Sequence, residues 1–188
     1  MIVNNSVYVI AEAGLNHNGS VEIAKSLIDV AAKAGANAVK FQKRTIDKLA
    51  IGSVLNADDN RFPKFGKTYR DIREFLEFDM KQYRVIKEYS EDKGLDFICT
   101  AFDTQAVDFL EELGVKKYKL ASHSATNIEL LEYLAKKGKE VILSTGMTEL
   151  QEIDTAVQIF QHHKTHLILL HCVSTYPTPM DECNLNMI

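Results

Sequence analysis

No stretch of the 188 residues approaches the roughly 18 consecutive apolar residues that cross a bilayer, and no basic stretch followed by an apolar core opens the chain. A soluble, cytoplasmic protein without a membrane partner is the expectation. Cysteine is scarce: Cys99, Cys172 and Cys183 are widely spaced and form no CxxC pair, which argues against a disulfide framework and a structural zinc site. Positive charge is not in surplus either. A net charge of −4 excludes a broad basic field for nucleic acid, so a bound anion must be held by a few placed lysines and backbone amides. The GxGxxG turn of a dinucleotide fold is missing after the first apolar run, and so is any phosphate-loop motif. The expected partner is a small molecule.

With 46% hydrophobic and 26% charged residues, the composition suits one globular core. Short apolar runs alternate with amphipathic stretches of helical period. The runs Val7–Gly14, Ala38–Gln42, Asp96–Phe102, Tyr118–Ser122, Val141–Gly146 and Leu167–Cys172 read as six strands. Helices start at Ser20 and Asp79, and Thr148 with Gln151 has the form of a capping box. Gly35, Gly94, Gly114 and Gly138 stand where helices stop. Strands joined by single helices pair in parallel through right-handed crossovers, and polar residues recur at strand C-termini, which favours a TIM (β/α)₈ barrel over an open doubly wound sheet. Such a barrel takes about 250 residues. The chain is therefore expected to be an incomplete barrel of about six βα units, the N-terminal part of a longer protein. The long connection from Lys43 to Phe78, with a possible short helix in KTYRDIREFLEF, would lie on the catalytic face.

In the second strand Lys40 and Gln42 alternate with Val39 and Phe41, which sends the polar pair to one face. A lysine directed into a barrel needs an anion, either a ligand or an internal salt bridge to Glu12. Lys119 repeats the arrangement in the fourth strand. Two lysines with hydroxyls of Thr100, Ser122 and Ser144 describe a phosphate or carboxylate pocket, and Ser144-Thr145-Gly146 adds a turn whose amides can approach an anion. His162, His163 and His166 have metal-like spacing but belong to the opposite face, so a solvated or capping role is expected. For His17, substrate contact and loop hydrogen bonding stay open, and His171 reads as a hydrogen-bonded core residue.

The runs AEAGLNHNGS (Ala11–Ser20), VKFQK (Val39–Lys43), YKLAS (Tyr118–Ser122), ILSTGM (Ile142–Met147) and HCVSTYPTP (His171–Pro179) resemble, in order and at similar intervals, the sialic acid synthase family. The loop stretch GKTYRDIREFLEF (Gly66–Phe78) looks most like the branch with animal-type synthases. The resemblance implies condensation of phosphoenolpyruvate with N-acetylmannosamine or a related N-acetylated hexosamine to a nonulosonic acid. It matches Lys40, Thr100, Lys119, Ser122 and Ser144 to phosphoenolpyruvate-binding positions. Ser174 falls where some members have an asparagine contact. Gln42 and Tyr176 match residues lining the sugar pocket, and Glu12 the catalytic glutamate.

Ser124 stands where many members carry an acidic sugar contact, which puts the identity of the sugar in question. The family's divalent ion, Mn2+ or Mg2+, is held by two histidines from later strands, and an antifreeze-like C-terminal domain completes the site across a homodimer. All of these would lie beyond Ile188, so residues 1–188 alone are expected to lack the metal site, to be inactive and to fold poorly as a monomer. Two alternatives compete. One is a phosphoenolpyruvate-condensing aldolase acting on a sugar phosphate, with Lys43, Arg44, Lys64 and Lys67 as cations for the second phosphate. The other is a non-catalytic sugar-binding barrel, against which Glu12, Lys40 and Lys119 argue.

Overall fold

The first apolar run breaks in two. Ser6–Val7 (β2) pairs antiparallel with Ile2–Val3 (β1), and the parallel sheet begins only at Ile10–Gly14 (β3). Between them the Asn37 side chain accepts from the Val9 amide at 2.8 Å, and the Val9 carbonyl accepts from the amides of Asn37 and Ala38. These bonds tie the chain down one residue before β3, where alternation alone suggests a continuous strand. The computed structural model describes residues 2–3 and 6–188, and the chain divides into two units, Met1–Val115 and Lys116–Ile188.

The first unit continues with α1 (Val21–Lys33), β4 (Ala38–Lys43), three short helices α2 (Ile46–Leu49), α3 (Gly52–Leu55) and α4 (Tyr69–Leu76), then α5 (Met80–Asp92), β5 (Asp96–Ala101) and α6 (Thr104–Leu113). Strands β3, β4 and β5 pair in parallel, with Glu12 opposite Lys40 and Gln42 opposite Thr100. Val39 and Phe41 are each 1% exposed, as the alternation in β4 requires, and Ala24 and Ile28 of α1, Tyr83 and Ile86 of α5 and Val107 and Leu110 of α6 are buried as well. Helix starts follow their caps: Ser20 accepts from the Ile23 amide, and Asp79 forms a reciprocal box with Gln82. Gly114 ends α6 at φ +75°, a left-handed conformation costly for a residue with a Cβ, and Gly35, Gly94 and Gly138 also have positive φ.

The long connection is built, not loose. Thr68 and Asp71 form a capping box at α4, and Phe62, Phe65 and Phe75 stack in sequence. The loop lies so close to the β3–α1 turn that a Cβ on Gly19 would sit 2.6 Å from the Phe75 carbonyl oxygen.

The second unit runs β6 (Lys117–Leu120), a 3-10 turn at Ser122–Ser124, α7 (Ile128–Ala135), β7 (Glu140–Ser144), α8 (Leu150–His162), β8 (Leu167–Leu170) and two short 3-10 turns at Met180–Glu182 and Leu185–Met187. Its three strands are again parallel. Leu130, Leu131 and Leu134 of α7 and Ala156 and Phe160 of α8 are buried, as are Val141, Ile142 and Leu143. Strand β8 is half-exposed, with Leu169 at 41%. Ser122 falls in the 3-10 turn, not in the strand. The capping box expected from Thr148 and Gln151 is shifted by one residue: Glu149 is the N-cap, and its amide donates to the Glu152 carboxylate at 2.8 Å. The Thr148 hydroxyl turns back to the Thr145 carbonyl, which removes it from the helix. Among the described residues no helix is long and apolar enough to cross a membrane.

Candidate active site

In the first unit parallel pairing brings four sequence-identified residues together. Lys40 Nζ forms an ion pair with Glu12 Oε2 and donates to Thr100 Oγ1 at 3.4 Å, while Gln42 Nε2 donates to Glu12 Oε1 at 3.1 Å. The internal salt bridge is thus present, and it joins two residues of one cluster. The Lys40 side chain is only 14% exposed, whereas Glu12 is 46% exposed, so the carboxylate still faces open space. The tight β3 end allows this only because residue 14 is glycine: at φ +54°, a Cβ there would meet Glu12 Oε1 at 3.0 Å and Gln42 Nε2 at 3.4 Å.

Lys43 departs from the alternation's logic. It shares a face with Val39 and Phe41 and is 9% exposed, so an ammonium points into the apolar layer. Glu77 meets it there at 2.8 Å, with the Phe109 ring centroid 4.5 Å from Nζ. Burial pushes the Glu77 carboxyl up from its ordinary range, and Lys43 pulls it back down. Of the four loop cations considered for a second phosphate, Lys43 is therefore engaged by a carboxylate.

His17 is a loop anchor. It is 2% exposed, stacks on Phe78 at 4.0 Å between centroids and accepts from the Gly19 amide through Nδ1, and burial pushes its pKa down to about 4. A neutral ring follows at neutral pH.

In the second unit Lys119 is buried at 6% exposure, and its Nζ donates to Ser144 Oγ at 2.6 Å and to the Leu120 carbonyl. Ser122 Oγ accepts from the Gly146 amide at 3.1 Å. A Cβ on Gly146 would stand 2.3 Å from Ser174 Oγ and 3.1 Å from both Ser122 Oγ and the Cys172 carbonyl oxygen. Lys119, Ser144, Ser122, Gly146 and Ser174 thus form a packed cradle of cation, hydroxyls and amide. Gly146→Ala is expected to cost about 1–3 kcal/mol through overpacking, read as a lower urea midpoint. An unchanged midpoint would mean that the cradle is looser than this.

Other assigned residues are placed differently. Ser124 is 2% exposed within the 3-10 turn, and Tyr176 is 94% exposed. His171, expected in the core, is exposed instead, and its Nε2 bonds to the Cys183 carbonyl at 2.9 Å. The reason is that β8 ends at Leu170, so His171 already belongs to the loop. His163 and His166 pair with Glu132 and Glu140, each at 2.8 Å. Glu140 opens β7, which puts the His166 pair at the strand's N-terminal end. Among the described residues no three His, Cys, Asp or Glu side chains group together as metal ligands would. Asp103, which no motif in the sequence marks, accepts from Thr45 Oγ1 at 2.7 Å and from the Thr45 and Ala106 amides. Its N-cap position before the helical pattern of α6 was the available signal.

An N-acetylneuraminate-9-phosphate synthase of Drosophila melanogaster is 38% identical over 98% of this chain and 50% of its own length. An N,N'-diacetyllegionaminic acid synthase of Legionella pneumophila is 37% identical over 95% of this chain and 52% of its own length. The chain spans about half the length of these curated relatives. The crystal structure of a sialic acid synthetase from Leptospira borgpetersenii, in complex with citrate, superposes with a TM-score of 0.83 at 41% identity, covering 98% of this chain and 60% of that one. The fold is that of about six βα units of a TIM barrel. With the NeuB family pattern matching residues 27–188, the chain belongs to the NeuB family.

Proposed function

We propose that the whole protein condenses phosphoenolpyruvate with an N-acetylated hexosamine, N-acetylmannosamine or a close relative, to give a nonulosonic acid and phosphate. The observation that carries this reading is the cradle of Lys119, Ser144, Ser122, Gly146 and Ser174 at the C-terminal ends of its strands, where barrel enzymes do their chemistry. A buried ammonium with several hydroxyls and an amide suits an oxyanion better than a neutral ligand. Lys40 and Thr100 are assigned to the same substrate, Gln42, Ser124 and Tyr176 to the sugar, and Glu12 to proton transfer.

In the proposed reaction the methylene carbon of phosphoenolpyruvate attacks the sugar aldehyde carbon, a C–C bond forms, and the aldehyde oxygen takes a proton. Water adds at C2 and loses its proton, and phosphate leaves with its bridging oxygen by C–O cleavage. Glu12, half-exposed and paired with Lys40, would give or take these protons. A divalent ion, manganese or magnesium, would supply Lewis-acid polarisation of the aldehyde when bound.

The test is Lys119→Met in the whole protein, assayed by phosphate release with each substrate varied in turn. The phosphoenolpyruvate KM is expected to rise on the order of 10- to 100-fold, the worth of a hydrogen bond to a charged group, with the sugar KM nearly constant. An unchanged phosphoenolpyruvate constant would leave Lys119 a structural role only.

A further inference from the structure

The polar cluster of β3 and β4 extends to Arg44, the residue that follows β4. Arg44 Nη2 donates to Gln42 Oε1 at 2.5 Å, Gln42 Nε2 donates to Glu12 Oε1 at 3.1 Å, and Glu12 Oε2 pairs with Lys40. A guanidinium only donates and an ionised carboxylate only accepts. The Gln42 amide can sit in two orientations, and just one of them satisfies both neighbours: oxygen toward Arg44, nitrogen toward Glu12. Arg44 thereby dictates which group Glu12 meets.

Arg44 is itself clamped. Its guanidinium carbon lies 3.9 Å from the centroid of the Phe102 ring, and its amide donates to Glu77 Oε1 at 3.3 Å. Nη1 is buried without a hydrogen-bond partner among the described residues, an unfavourable state that a freely rotating side chain would leave. Burial and the neighbouring Arg73 lower the Arg44 pKa, yet an arginine stays charged under such pressure. The result is a planar cation held in one pose, with Gln42 as its acceptor.

We infer that Arg44 is a positioning residue that acts through the Gln42 amide to hold the Glu12 carboxylate in its working orientation. It has no assigned contact with either substrate, and it deepens the proposed function because it rests on Glu12 as the group that handles protons. Gly14 leaves the room this relay needs, since a Cβ there would press on both Glu12 Oε1 and Gln42 Nε2.

Two measurements on the whole protein test the inference. In steady-state kinetics Arg44→Met is expected to lower kcat on the order of 10- to 100-fold with the phosphoenolpyruvate KM changed less than about twofold. The double variant with Gln42→Met should be no slower in kcat than Gln42→Met alone, because both act through one carboxylate. Arg44→Lys, which keeps a single charged donor, should recover part of the loss. Wild-type kcat in Arg44→Met, or losses that simply multiply in the double variant, would overturn the proposal. The second measurement needs no turnover: the side-chain amide signals of Gln42, identified by their absence in Gln42→Met, are followed by NMR hydrogen exchange. Exchange should quicken by at least about tenfold in Arg44→Met as the amide comes free. Unchanged exchange rejects the relay even if the enzyme is active. A wild-type protein without sugar-dependent phosphate release rejects the proposed function, and the exchange result still decides whether Arg44 orients Gln42.

Discussion

Glu12→Gln in the whole protein is expected to lower kcat on the order of 10²- to 10⁴-fold, the range for removing a positioned acid or base. The amide keeps the size of the carboxylate and can still accept from Lys40, so the local geometry should survive. Stability should fall less than for a fully buried pair, because the Glu12 side chain is 46% exposed and solvent reaches the Lys40 partner that it leaves. The two readouts separate the roles: kcat from phosphate release and the urea midpoint from unfolding. A variant that turns over at the wild-type rate would remove Glu12 from the chemistry. One that loses activity together with its fold would make it a structural residue.

The other large effect is expected on stability, from Lys43→Met. Lys43 and Glu77 are buried together, with side chains 11% and 12% exposed, and the methionine would leave Glu77 without its cation. Breaking a buried pair from one side costs about 3–5 kcal/mol, far more than the pair contributes when whole. The pH dependence identifies the stranded group. Burial raises the Glu77 pKa in the folded protein, so between the unfolded and folded values the native state binds more protons, and stability falls as pH rises through that window. Without Lys43 the folded value climbs further and the window widens upward. The deficit of Lys43→Met should therefore be smaller near about pH 5 than near about pH 8. A deficit equal at both would show that Glu77 is not the stranded group.

Much of the sheet was legible because its signals are local. The alternation of Val39, Lys40, Phe41 and Gln42 assigned two faces correctly, and Ser20, Asp79 and the glycines after the helices marked true ends. Local signals misled where a nearby group competed for the same bond. Asn37 takes the Val9 amide and splits the first strand, and Thr148 spends its hydroxyl on Thr145. His171 was misplaced because an apolar run does not say where pairing stops, and pairing stops at Leu170.

The order of residue types along the chain determined the βα repeat, the family resemblance and the residues that belong at strand ends, because periodicity, caps and motif strings are written in neighbouring positions. Only the tertiary structure decided how those residues pair. Lys43 finds Glu77 across 34 residues, Gln42 meets Glu12 across 30, and Ser122 reaches the Gly146 amide across 24. Such pairs follow from strand register and from the path of a loop. Both are set by how buried surfaces fit together, and no local pattern encodes that fit.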